Sequence, residues 1–270
     1  MFFRSTKKCV HCRQGIIIYE PGAEVGFCDG CGLMQTLHQP DDDCRDSRSD
    51  KAETEAVLNE DSSSSLEQIA LCLNGKADSL AFGKYIRKPD GVPEPIEWQV
   101  LTRKKDRILV LSKYALDCWQ YNEELHATWE TCALRRQLNG EFLDFAFSEE
   151  EKTLIPQAFV GASDNPKYDT DSGNDTMDRV FLLSVPEVRK YLGTDYDPLQ
   201  CLGTAYCNYV LGQRTRNDEQ ECPWWLRTQG TDSWHAVYVG KDGYLEIYGR
   251  PLYDFIGVRP AMWLTLGDSD

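Results

Sequence analysis

Four cysteines near the N-terminus have the spacing of a metal site. Cys9 and Cys12 form one C-x-x-C knuckle and Cys28 and Cys31 a second, with 15 residues between them. Four thiolates so arranged can complete the tetrahedral shell of a structural zinc ion, with Gly30 and Gly32 easing the tight second knuckle. A segment this short buries too little apolar surface to fold unaided, so the metal would supply much of its stability. A redox C-x-x-C wants a βαβ context, for which the first 38 residues leave no room.

A second constellation is suited to recognition. Asp232, Trp234, His235, Tyr238, Lys241, Tyr244, Glu246, Tyr248, Arg250, Tyr253, Asp254 and Phe255 crowd one short stretch. Tyr and Trp offer large contact area at small rotamer cost, and aromatics with a few charges are the usual composition of binding hot spots. If the rings are contiguous and exposed they form a ligand-binding face for a protein or a small molecule; the competing reading makes some of them core filling.

Other candidate chemistry is weaker. Asp164, Asp169, Asp171, Asn174, Asp175 and Asp178 could offer calcium its oxygen ligands, but they lack the order of an EF-hand loop, and a solvated loop with Asx turns is the expectation. No glycine-rich phosphate loop, Ser-His-Asp arrangement or paired-carboxylate motif stands out, and His126 and His235 are isolated in sequence. Cys201, Cys207 and Cys222 have no basic neighbour in sequence to activate a thiol. The expectation is a protein that is not an enzyme.

The elements that must position these residues follow from period and punctuation. Alternation over 236–239 and 244–248, interrupted by Gly240-Lys241-Asp242-Gly243, predicts a hairpin. Val237, Val239, Leu245 and Ile247 then face the core, and Tyr238, Tyr244, Glu246 and Tyr248 face outward. Upstream, 81–85, 96–101 and 107–112 read as antiparallel strands. A helix is expected after Thr128 or Thr131, either of which could cap it, with Leu134, Leu138 and Phe142 on its buried face. A capping box at Ser148, and a proline in the first turn after Ser184, predict two more helices. The fold class is α+β.

Charge divides the chain. The net charge is −15, and the 39–65 stretch alone carries nine acidic and three basic residues, almost no apolar ones, and a Ser62–Ser65 run. Such composition predicts a flexible acidic linker between an N-terminal metal unit, 1–38, and a main domain, 66–270. An acidic chain repels phosphate backbones, so nucleic acid is not the expected partner, and nothing reads as a signal peptide or membrane span. Seven cysteines outside the metal set lack framework spacing, which favours a reducing compartment; the expected location is cytoplasmic.

Several blocks carry a resemblance. EPIEWQVL, SKYALDCWQYN, TWETCALRRQLNGEF and GNDTMDRVFLLS precede Trp224-Trp225-Leu226-Arg227, and Gly257-Val258-Arg259-Pro260-Ala261-Met262-Trp263 closes the series. The region from Ala81 to Leu264 resembles an uncharacterised bacterial domain family with a C-type-lectin-like fold. It is similar to the variable proteins of diversity-generating retroelements, in which the segment between such bookends displays the ligand-binding residues and is retargeted by adenine-directed mutagenesis. Trp234, Lys241 and Glu246 depart from the residues such mutagenesis produces. The resemblance implies that Trp224, Trp225 and Arg259 are framework and that the aromatic segment is the ligand surface. The N-terminal unit resembles a zinc ribbon, which leaves a regulatory or adaptor role as the alternative; a relative of the formylglycine-generating enzymes is a further one.

Overall fold

The Trp224-Trp225-Leu226-Arg227-Thr228-Gln229 run is buried at every position and lies in the middle of a sheet. The computed structural model describes residues 65–89, 91–193, 199–212 and 220–267, together with the backbone of four N-terminal strands. Those are β1 (Phe3–Lys8), β2 (Ile16–Tyr19), β3 (Val25–Cys28) and β4 (Met34–Thr36), an antiparallel meander. β2 lies between the two cysteine knuckles. Cys9, Cys12 and Cys31 lie outside the described residues, Cys28 is described in backbone alone, and the acidic stretch 39–64 also lies outside them.

The main domain is mixed α+β, with two five-stranded sheets and short helices. A helix over 65–73, α1, carries Ile69 and Cys72 into the core. The first sheet comprises β5 (Ser79–Ile86), β6 (Pro93–Arg103), β7 (Arg107–Ser112), β11 (Val180–Phe181) and β18 (Ala261–Thr265), in the order β11-β18-β7-β6-β5. The second comprises β8 (Asp117–Gln120), β14 (Trp224–Gln229), β15 (His235–Val239), β16 (Leu245–Pro251) and β17 (Phe255–Val258), in the order β16-β15-β14-β17-β8. Only the β14–β17 pairing is parallel within it.

The closing bookend joins the two sheets. β17 belongs to one and β18 to the other, and Arg259-Pro260 makes the passage between them. The Arg259 Nε–H donates to the Ser112 carbonyl at 2.9 Å, the Ser112 N–H donates to the Pro260 carbonyl, and the guanidinium lies 4.9 Å from the Trp224 ring centroid. Burial pushes the Arg259 pKa down, so this cation is held by packing and one carbonyl. Trp224 and Trp225, consecutive in a strand, project to opposite faces, and both are fully buried.

The helical segment after Trp129 is interrupted: α2 (Ala133–Gln137), one π turn (Leu138–Phe142) and α3 (Leu143–Ala146). Leu134, Leu138 and Phe142 are buried as expected, but the cap is neither threonine. Cys132 occupies it, its Sγ accepting from the Arg135 N–H, while Thr128 and Thr131 close a separate turn through the Thr131 hydroxyl. Ser148 forms the expected capping box and opens α4 (Glu149–Thr153); the proline-led helix α5 (Val185–Tyr191) is present as well, with a second capping box at Ser184. Two ribbons, β9 (Ala158–Val160) with β10 (Thr176–Asp178) and β12 (Leu202–Gly203) with β13 (Gln220–Glu221), and the helix α6 (Ala205–Val210) complete the domain. Among the described residues no helix is long and apolar enough to cross a membrane.

Candidate functional site

The expected hairpin is present. β15 pairs with β16 through Val239↔Leu245 and Tyr238↔Glu246, and the turn closes with the Gly240 N–H donating to the Tyr244 carbonyl at 2.9 Å. Gly243 takes φ +82°, and a Cβ there would stand 2.6 Å from the Leu199 backbone nitrogen, so only glycine fits this position. Val237 and Val239 are fully buried, and Leu245 and Ile247 pack against the same core from partly buried positions.

None of the twelve candidate ligand residues is buried. Trp234, Tyr244, Tyr248, Tyr253 and Phe255 expose between 45 and 57 % of their surface. Asp232, Lys241 and Arg250 are exposed as well, and His235, Tyr238, Glu246 and Asp254 are half-buried. Five of the rings therefore stand at the surface, while Tyr238 packs partly against the core.

The twelve do not form one uniform face. Between the Tyr238↔Glu246 and Ala236↔Arg250 pairs the register slips by two residues on β16, at Gly249 with φ +89°. This bulge sets Tyr248 apart from Tyr238. The Tyr248 ring meets His235 (centroids 5.4 Å apart) and Tyr168 (6.1 Å) edge-on. Tyr238 instead meets Trp225 at 6.3 Å and carries the Arg250 guanidinium over its ring, 5.2 Å from the centroid.

Around Tyr248 and Trp234 lies a histidine cluster. The Trp234 indole N–H donates to His126 Nδ1 at 2.9 Å, His126 Nδ1 also meets the Ser233 hydroxyl at 2.7 Å, and His235 Nδ1 is 2.7 Å from Asp232 Oδ1. Burial opposes charge on Asp232, yet the hydrogen bonds from His235 and the Trp234 N–H outweigh it and hold its pKa below the ordinary value. His126 is the one described non-glycine residue with positive φ, at 73°.

On the other side of the bulge is an open cleft of about 460 Å³, lined by Tyr238, Lys241, Glu246, Arg250 and Phe255 from the expected set. Leu211, Pro223 and Ile256 complete its apolar wall. Asp254 lies 3.6 Å from Arg250, and contact with Tyr238 first, then Asp254, raises the Arg250 pKa further. Tyr253 contributes its carbonyl to Gln120 and leaves its ring outside.

The remaining candidates are occupied structurally. In the acidic loop the Asp171 carboxylate accepts from the Gly173 N–H, an Asx turn, and Asp175 accepts from the Ala162 N–H. Asp178 is buried beneath Trp129, Thr176 and Arg135. Among the described residues no group of three or more His, Cys, Asp and Glu could hold a metal ion. Cys201, Cys207 and Cys222 are buried, with Cys207 and Cys222 Sγ 3.6 Å apart, and desolvation pushes the Cys201 and Cys207 thiols up, away from the reactive thiolate.

Residues 105–266 match the model of a domain of unknown function, DUF6273. The chain belongs to the DUF6273 family. The match takes in both sheets from β7 onward, the histidine cluster and the cleft. No curated protein and no solved structure matches the chain.

Proposed function

We propose that this DUF6273 protein is a display protein that binds a protein ligand, with its recognition surface on the β15–β16 hairpin and the loop that follows. The observation that carries this reading is the contrast between the two kinds of aromatic residue: Trp224 and Trp225 are fully buried, while Trp234, Tyr244, Tyr248, Tyr253 and Phe255 stand outside. Exposed rings beside charged groups suit recognition.

The same reading takes the main domain as C-type-lectin-like and similar to the variable proteins of diversity-generating retroelements, on the sequence blocks that bracket the hairpin. It takes the N-terminal unit as a zinc ribbon held by Cys9, Cys12, Cys28 and Cys31, joined by a flexible acidic linker, in a protein of the cytoplasm. The role proposed is binding without catalysis, with the Cys201, Cys207 and Cys222 thiols buried.

Panning a displayed peptide library on the immobilised full chain tests this. Enriched clones should lose binding to Tyr238→Ala and Phe255→Ala. Clones that bind both variants as well as the parent, or no enrichment over an empty support, would contradict the reading.

A further inference from the structure

We propose that the cleft binds an α-carboxylate carried beside an apolar side chain. Arg250 and Lys241 take the carboxylate, Glu246 accepts from the adjacent nitrogen donor, and Phe255 and Leu211 cover the side chain. This deepens the binding reading above and rests on it.

The rim charges are what narrow the chemistry. Lys241 and Arg250 line the cleft together with Asp242 and Glu246, and Asp254 stands 3.6 Å from Arg250, so groups of both signs meet there. A polyanion would meet the two acids and a chain of net charge −15, whereas a ligand carrying both an anion and a hydrogen-bond donor meets complementary groups. Asp242 is already engaged, its Oδ1 accepting from the Tyr244 N–H. Lys241 and Glu246 have no ion pair or side-chain hydrogen bond among the described residues, and both remain open to a ligand.

Arg250 is placed for a carboxylate. Its guanidinium is seated on the Tyr238 ring and its distance of 3.6 Å from Asp254 exceeds a hydrogen bond, which leaves N–H donors of the planar fork for a second carboxylate. Tyr238 is itself backed by the buried Trp225, so this seat is rigid. The apolar requirement comes from Phe255, 57 % exposed, and from Leu211, both of which line the cleft. A volume of about 460 Å³ suits one or two residues of peptide and falls within the range of small-ligand sites, roughly 300–1,000 Å³.

Two sources supply this chemistry: a free amino acid and the C-terminus of a peptide. Titrating the full chain with L-phenylalanine, N-acetyl-L-phenylalanine and L-phenylalaninamide, followed by backbone amide NMR, separates them. The two carboxylates should shift the amides of Tyr238, Lys241, Glu246, Arg250 and Phe255 at millimolar concentration, and the amide ligand should bind about tenfold more weakly or not at all. Tighter binding of N-acetyl-L-phenylalanine assigns a peptide C-terminus; tighter binding of L-phenylalanine assigns a free amino acid. Arg250→Gln and Lys241→Gln should each weaken the carboxylate probes while leaving the melting temperature unchanged.

Equal binding of all three probes, or no shift with any of them, overturns the carboxylate assignment. If panned peptides are still lost on Tyr238→Ala, the binding surface stands and only this chemistry fails. If both experiments fail, the surface is not a binding site.

Discussion

The Trp225 indole and the Tyr238 phenol meet edge to face, their centroids 6.3 Å apart and their planes at 77°. They are cross-strand partners on β14 and β15, one fully buried and the other at the floor of the cleft. Behind Trp225 stands Tyr121, at 5.7 Å, and behind Tyr121 stands Trp129, at 6.4 Å. A surface ring is thus positioned by a row of core rings, and the Arg250 guanidinium is positioned by that surface ring in turn. Edge-to-face aromatic pairs each add about 0.5–1.5 kcal/mol beyond area burial, enough to hold a side chain in one orientation.

The opening bookend depends on Glu187. Arg227 is buried in β14, donating to the Leu182 carbonyl at 2.8 Å and pairing closely with Glu187, which also accepts from the Ser184 N–H as part of the α5 cap. Glu187→Ala removes the cap partner and leaves a buried cation underpaired. A loss of about 2 kcal/mol or more in unfolding free energy is expected from denaturant titration, well above the cost of an ordinary surface substitution.

Asp117 gives stability a distinctive pH dependence. It is buried, accepting from the Tyr85 hydroxyl at 2.6 Å and the Cys118 N–H at 2.7 Å, and desolvation raises its pKa to about 6 despite those bonds. A folded-state pKa above the unfolded value of ~3.9 means that the folded chain holds the proton more tightly. The associated stabilisation, roughly 3 kcal/mol, is fully present below about pH 4 and is lost as pH rises through about 6. Asp117→Asn should therefore lose less stability than the parent between those limits; superimposable pH profiles would show that Asp117 is not the titrating group.

The tetrathiolate reading predicts one zinc ion per chain in protein purified without chelator. Cys28→Ser should abolish it while leaving the melt of the main domain in place. Elemental analysis that finds no zinc in the parent would remove the metal from the account.

Features decided within a few residues were legible in the sequence. The β15–β16 hairpin followed from alternation around Gly240 and Gly243, the cap at Ser148 from a serine three residues before a glutamate, and the start of α5 from the proline after Ser184. The Cys132 cap was not, because a thiol is a weak acceptor and two threonines beside it look better suited. The helix over 65–73 was hidden by the serine run before it, although Leu66, Ile69 and Cys72 have helical spacing. Nothing local marks the Gly249 bulge as the point that separates Tyr248 from Tyr238. The cleft was out of reach for a different reason: Phe255 and Leu211 join Tyr238 only through the sheet order β16-β15-β14-β17 and the placement of α6, and His126 joins Trp234 across more than a hundred residues.

The claim that the exposed rings serve recognition and the buried ones the fold is tested most directly by thermal melts of Tyr248→Ala, Phe255→Ala and Trp225→Ala beside the parent chain. Tyr248 and Phe255 stand more than half exposed and Trp225 not at all. The account predicts losses within about 0.5 kcal/mol for the first two, and roughly 3–5 kcal/mol for Trp225→Ala. Equally large losses in all three would mean that the aromatic segment is packing, and would contradict the display surface.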